Sequence, residues 1–98
     1  MMILPKPISF EWDEGNIDKN LVKHNVTNRE AEEPFGNKPF LIHKDVKHSR
    51  TEERFQALGQ TDVGRRLFLS FTIRRSKVRI ISARDMNRKE RRQYNQID

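Results

Sequence analysis

The stretch from Arg66 to Arg84, RLFLSFTIRRSKVRIISAR, decides the fold. Leu67, Leu69, Phe71 and Ile73 fall at every second position, with Phe68, Ser70 and Thr72 between them. That period belongs to a strand with one apolar face. A second strand is expected over 78–84, with Val78, Ile80 and Ser82 opposed to Arg79, Ile81 and Ala83. The polar break Arg74-Arg75-Ser76-Lys77 reads as the hairpin loop between them.

Outward from this hairpin, shorter apolar runs predict strands over 40–44 and 54–58, with Gly59 and Gly64 bracketing a turn. Residues 45–51 form a polar loop that carries His48. Downstream, Asn87-Arg88-Lys89-Glu90 has the spacing of a capping box and opens a helix to about residue 96. At the other end Phe10-Glu11-Trp12 reads as a short strand, and Asp13 as the N-cap of a helix ending at His24-Asn25. Ile17 and Leu21 share one face of that helix, with Asn16, Asn20 and Lys23 away from it or at its border. Thr27-Asn28-Arg29-Glu30 is a second capping box, starting a helix over 28–33 that Pro34 limits. The order β-α-α-β-β-β-β-α predicts an α+β domain: a small antiparallel meander, two N-terminal helices and one C-terminal helix. The helices are expected on one face and an open face on the other. All 98 residues are expected to form one domain, with 1–8 as a disordered or extended arm.

Charged residues make up 35% of the chain and hydrophobic ones 34%, so the core is thin. The net charge is +6, and it is unevenly placed. Residues 1–49 hold seven Lys/Arg against eight Asp/Glu, whereas 50–98 hold thirteen against six. The basic half favours arginine heavily, and arginine's planar fork suits phosphate. Such a half points to a polyanion or an acidic partner, or to a solvated surface. There are no cysteines, which excludes disulfides and thiolate metal sites. No apolar stretch approaches a membrane helix and no signal-peptide segment is visible, so a cytoplasmic protein is expected.

Four pieces of the sequence form an ordered set: Phe10-Glu11-Trp12-Asp13; Asn20 with Lys23-His24 and Val26; Glu53-Arg54-Phe55 with Leu58-Gly59; and Arg79-Ile80-Ile81-Ser82-Ala83-Arg84 followed by Glu90 and Tyr94. Together they resemble the BrnT toxins, from about Phe10 to Tyr94. The resemblance implies a RelE-like fold, RNA cleavage that arrests growth and inhibits translation, and a BrnA-like antitoxin with a ribbon–helix–helix domain. Operator DNA would be bound only through that antitoxin. The family usually has Lys where Asn16 stands and Gly where Asn25 stands. Asn25 suits a left-handed C-cap, whereas Asn16 removes a potential phosphate contact.

Cleaving RNA without a metal needs a base for the 2′-hydroxyl, cations for the crowded phosphorane and an acid for the leaving 5′-oxygen. His24, His43 and His48 are not spaced as a metal-binding helical pair, and no HExxH occurs, so no metal and no cofactor are expected. Arg79 and Arg84 flank the apolar run of the last strand and are candidates for the scissile phosphate. Their offset of five puts them on opposite faces unless the strand twists or bulges. Arg54 is either a second clamp or an ordinary ion-pair partner. Lys23-His24 closes the first helix, where His24 serves either as acid or base or simply as a cation suited to the helix end. His48, beside Asp45 in its polar loop, reaches the site if that loop folds over the sheet and is otherwise a solvent-exposed loop histidine, which is the expectation here. Arg74, Arg75 and Lys77, with Arg88, Arg91 and Arg92 of the last helix, are expected to track an RNA backbone or dock an acidic antitoxin segment. Trp12 and Tyr94 are expected to pack rather than stack on bases. Two other readings remain open: an inactive toxin homologue kept as an antitoxin-binding co-repressor, and a generic basic RNA-binding domain.

Overall fold

In the computed structural model, which describes residues 4–49 and 51–96, four strands form one antiparallel sheet in the order β1-β2-β3-β4. These are β1 Leu41–Lys44, β2 Arg54–Gln60, β3 Arg66–Arg74 and β4 Lys77–Asp85. The meander follows from the alternating pattern, and Leu67, Leu69 and Phe71 are fully buried as that pattern requires. The hairpin between β3 and β4 is tighter than expected. Arg74 and Lys77 remain in the ladder, and only Arg75 and Ser76 turn, both left-handed at φ 53 and 64. Positive φ at both central residues matches the right-handed strand twist.

The main departure lies in β4. Its register with β3 passes from Ser70↔Ser82 to Phe71↔Ile80, which leaves Ile81 as the extra residue of a β-bulge. The alternation therefore changes phase: Ala83, not Ser82, joins Val78 and Ile80 in the core. Arg84 changes face with it.

The N-terminal half covers the core face of the sheet. Helix α1 is Lys19–His24 and α2 is Asn28–Glu32, followed by a 3-10 turn Glu33–Gly36. Val26, Ala31 and Phe35 pack on Phe55, Ala57, Leu69, Phe71 and Ile80, with Leu4, Ile8, Phe10 and Trp12 at the margin. Of the arm expected over 1–8, residues 1–3 lie outside the described residues. The expected first strand is reduced to a single parallel bridge, Phe10↔Val78. Asp13 caps a turn rather than the helix: its carboxylate accepts from Gly15 N at 2.8 Å. Helix α1 starts only after Asp18, whose left-handed backbone interrupts the run and whose side chain pairs with Asn28. Asn25 ends α1 in the left-handed conformation, as expected. Both capping boxes form, Thr27/Glu30 at α2 and Asn87/Glu90 at the start of α3, Arg88–Asn95.

Two expectations about packing are corrected. The face that the turn before α1 and α1 itself present to the sheet is polar: Asn16 of the turn and Asn20 of the helix are buried, while Ile17 and Leu21 are 47% and 42% exposed. The cause is the edge of β4, whose backbone groups need partners. Asn16 Nδ2 donates to Ile80 O at 3.1 Å, and Asn20 Oδ1 accepts from Ala83 N at 3.0 Å, on either side of the bulge. Asn16 is thus a buried support for the bulged strand rather than a surface position. The second correction is that the helices do not share a face. Helix α3 lies on the opposite face, where Tyr94 and Met86 pack on Leu41, Leu58 and Phe68. Trp12 and Tyr94 both pack, and each polar tip is bonded, Trp12 Nε1 to Glu32 and Tyr94 Oη to Pro39 O.

Candidate functional site

With α3 covering only one end, the rest of that second face is open. Strand alternation turns His43, Arg54, Gln56, Ser70, Thr72 and Arg74 toward it, and the bulge at Ile81 adds both Arg79 and Arg84. The bulge thus resolves the offset of five that would have separated these two arginines.

They nevertheless occupy different ends. At the hairpin end a cleft of ≈ 180 Å³ is lined by Lys19, Arg54, Arg74 and Arg79, with Glu52 the lone carboxylate lining it. Gly15 closes one wall: a Cβ there would come within 2.7 Å of the Arg79 guanidinium. Arg79 is clamped by Asp13, with Nη1 to Oδ2 at 2.8 Å and Nη2 to Oδ1 at 2.9 Å, and also reaches Glu11 at 3.1 Å. This clamp lowers the Asp13 pKa, chiefly through the Arg79 hydrogen bond, and raises that of Arg79. Arg74 makes a two-point contact with Glu52, at 3.0 and 3.2 Å, which holds the Glu52 carboxyl below its usual range. Neither Arg54 nor Lys19 has a carboxylate partner among the described residues, and of these two cations of the cleft Arg54 is the one whose planar fork suits an incoming phosphate.

A second cleft of ≈ 180 Å³ adjoins the first and shares Glu52 and Arg54 with it; Lys47, His48 and Thr51 complete it. Lys47, His48 and Thr51, from the segment between β1 and β2, therefore lie beside Arg54, which brings His48 to the site. His48 sits in a short 3-10 turn, Val46–His48, that Asp45 caps through the His48 N–H. His48 Nδ1 lies 2.9 Å from Asp45 Oδ2. Gln56 Nε2 reaches the same oxygen at 3.2 Å, and His43 Nε2 lies 2.9 Å from Gln56 Oε1. Burial alone would raise the Asp45 pKa, but the hydrogen bonds from His48 and Gln56 outweigh it and the net shift is downward. Neither His43 nor Gln56 stands out in the sequence as a site residue. Their cross-strand pairing is the signal, and register shows it only once the sheet is built.

The other expected site residues lie apart from this cleft. Arg84 stacks 4.2 Å above the Phe68 ring and is held by Glu90 at 2.8 and 3.0 Å, beneath α3. Lys23 and His24 are exposed at the end of α1, near Asp85 and Arg65, at the opposite end of β4 from Arg79. The helix runs along the strand edge, so its last turn cannot approach the hairpin end. The flanking cations also divide. Arg75 and Lys77 are exposed at the hairpin, whereas Arg88, Arg91 and Arg92 lie on α3. Nine-residue strands separate the two groups, by about 25–30 Å. Arg91 is further occupied by Met86 O at 2.6 Å.

Among the described residues no helix is long and apolar enough to cross a membrane, and no group of three or more His, Asp or Glu side chains is placed to hold a metal ion. A search of curated proteins finds no match to the chain. A family model described as "Ribonuclease toxin, BrnT, of type II toxin-antitoxin system" matches residues 12–90. The matched span runs from Trp12, through the bulged strand and both clefts, to the Glu90 that holds Arg84. The chain belongs to the BrnT family of ribonuclease toxins of type II toxin–antitoxin systems.

Proposed function

We propose that the protein cleaves RNA by attack of a 2′-hydroxyl on the adjacent phosphate, without a metal ion, and that the cleft of Arg54, Arg74 and Arg79 holds the phosphate under attack. The observation that carries this reading is the lining of that cleft: four cations against one carboxylate that is itself ion-paired. Such a lining attracts a phosphodiester and repels a divalent cation. Arg54 bonds the non-bridging oxygens. Arg79 and Arg74, fixed by Asp13 and Glu52, supply preorganised positive charge as the phosphorane gathers its extra negative charge. The 2′-oxygen forms its bond to phosphorus as its proton departs. The 5′-oxygen leaves and takes a proton from solvent, so the products carry a 2′,3′-cyclic phosphate and a 5′-hydroxyl. Arg75 and Lys77 at the hairpin extend the cationic surface along the RNA. Arg84, Lys23 and His24, with Arg88, Arg91 and Arg92, serve the fold or partner contacts instead.

In this reading the protein acts in the cytoplasm on messenger RNA and so inhibits translation, with or without the ribosome. A BrnA-like ribbon–helix–helix antitoxin neutralises it by covering the open face, and the complex meets operator DNA through the antitoxin. One observation favours a second reading, an inactive antitoxin-binding co-repressor: Arg74 and Arg79 already have carboxylates on them.

Purified protein and its Arg54→Ala variant, incubated with naked and ribosome-bound RNA, separate the two. The wild type is expected to give cyclic-phosphate ends, and the variant to be slower by about 10²–10³-fold at unchanged melting temperature. Wild-type protein that leaves both RNAs intact at every concentration, and does not arrest growth when expressed alone, overturns the enzyme reading in favour of the co-repressor.

A further inference from the structure

We infer that His48 is the general base of this site and that Asp45 is the positioning residue that orients it. The inference rests on the RNA-cleavage reading above and assigns the proton acceptor which that reading leaves open.

The carboxylate fixes which atoms hold protons. An ionised Asp45 accepts hydrogen bonds and donates none, so the contact at 2.9 Å requires the proton on His48 Nδ1. The lone pair of the neutral ring is then on Nε2. Nε2 has no hydrogen-bond partner among the described residues, and the side chain is 58% exposed. The tautomer is reinforced from behind. Gln56 donates through Nε2 to Asp45 Oδ2, so its Oε1 is an acceptor and His43 Nε2 donates to it. The hydrogen bonds that join His43, Gln56, Asp45 and His48 therefore run in one direction only. The chain also ties the loop to β1 and β2, so an exposed imidazole is held in place rather than left to rotate.

Position points the same way. His48 and Arg54 line one cleft, and Arg54, Arg74 and Arg79 line the adjoining one. In the orientation this inference requires, a phosphate bound at Arg54 presents its neighbouring 2′-hydroxyl on the side of His48. Nε2 takes that proton while the 2′-oxygen attacks phosphorus, and Asp45 faces the imidazolium that results. Among the described residues, the titratable and charged groups facing the ring are Asp45, Lys47, Glu52 and Arg54, with His43 joined through Gln56.

The test uses the full chain with RNA oligonucleotide substrate and the variants His48→Ala, His48→Gln and Asp45→Asn. Both His48 variants are expected to lose about 10²–10⁴-fold in cleavage while binding RNA within about twofold of wild type. Added imidazole should restore part of the rate in His48→Ala, and none in Arg54→Ala. In Asp45→Asn, whose amide can donate toward Nδ1 as well as accept from it, the rate should fall through kcat with KM unchanged, and the conservative Asp45→Glu should recover part of it. A purely structural role for Asp45 would lower cleavage and RNA binding together. Cleavage by both His48 variants within threefold of wild type overturns the inference, as does a parallel loss of cleavage and RNA binding. If wild type and the His48 variants cleave while Arg54→Ala does not, only the base assignment fails. If wild type cleaves nothing, the parent reading fails and the base falls with it.

Discussion

The two ends of the open sheet face carry the same residue type in opposite states. Under α3, Arg84 is enclosed: Phe68 lies against one side of its guanidinium and Glu90 takes both of its terminal nitrogens. At the hairpin end Arg54 stands in a cleft among other cations, with Glu52 the lone carboxylate of the lining, and that one is spoken for by Arg74. Glu90 is also the third residue of a capping box, so Arg84 fastens the first turn of α3 to the sheet. Glu30 plays the same double part at α2, where it caps the helix and accepts from Arg65. An arginine bonded to a helix cap is a joint, and an arginine facing other cations is, on the proposed function, a receptor. The contrast teaches that the count of arginines in the basic half says little, and the number of carboxylates around each says nearly everything.

Loosening the bulge that sets up this contrast should have the largest effect. The double change Asn16→Ala and Asn20→Ala removes the side chains that hold Ile80 O and Ala83 N on either side of it. Each change leaves a buried backbone group unpaired, at about 1–3 kcal/mol, so a loss of about 2–6 kcal/mol is expected out of the roughly 5–15 kcal/mol that holds a domain of this size together. The measurement is thermal unfolding followed by circular dichroism, where a large drop in melting temperature is expected. A double variant that melts like the wild type would mean that the bulge holds without the two asparagines.

Much of this arrangement was legible in the sequence, and the exceptions share one physical cause. The alternation of Leu67, Leu69, Phe71 and Ile73 carried the meander, and two short spacings, Thr27 to Glu30 and Asn87 to Glu90, located helix starts that the structure reproduces. Where reading by apolar spacing failed, backbone demand had outranked it. The turn before α1 points Asn16 inward, and α1 points Asn20 inward, because the edge of β4 offers carbonyl and amide groups that Ile17 and Leu21 could not satisfy. The bulge was hidden in the adjacent Ile80 and Ile81, since two isoleucines read equally well in either phase. For the site, arginine content and the Arg54 and Arg79 positions were visible. Tertiary placement decided the rest: Arg84 and His24 depend on which end of β4 they meet, and His48 depends on where a polar loop folds.

A milder test separates joint from receptor. Arg84→Ala removes the Glu90 contact and the stacking on Phe68. Partly exposed ion pairs and cation–π contacts of this kind are each worth about 0.5–1 kcal/mol, so a loss of about 1–2 kcal/mol in denaturant unfolding is expected. RNA cleavage per folded molecule should stay within about twofold of wild type, because the Arg54 cleft is untouched. A loss of cleavage at unchanged stability would move Arg84 from joint to receptor and erase the distinction between the two ends.

The smallest expected effect probes the receptor end from its carboxylate side. Glu52→Gln removes the nearer of the two carboxylates beside Arg74, leaving Glu11 at 3.7 Å and shared with Arg79, but keeps the side chain's shape and one oxygen acceptor. Arg74 then joins Arg54 as a cation available to phosphate. Because RNA binding releases about one counterion for each phosphate newly neutralised, the slope of log affinity against log salt should steepen by a little under one unit. RNA affinity should rise severalfold at low salt, and that gain should fade as salt screens the cleft. The matching change at the other end, Glu90→Gln, has no route to that result. It weakens the cap and the joint to Arg84, so it should lower the melting temperature and leave the salt slope unchanged. Equal salt slopes in wild type and Glu52→Gln would show that Arg74 stays turned from the RNA even when released, which would leave Arg54 and the clamped Arg79 to hold the phosphate alone.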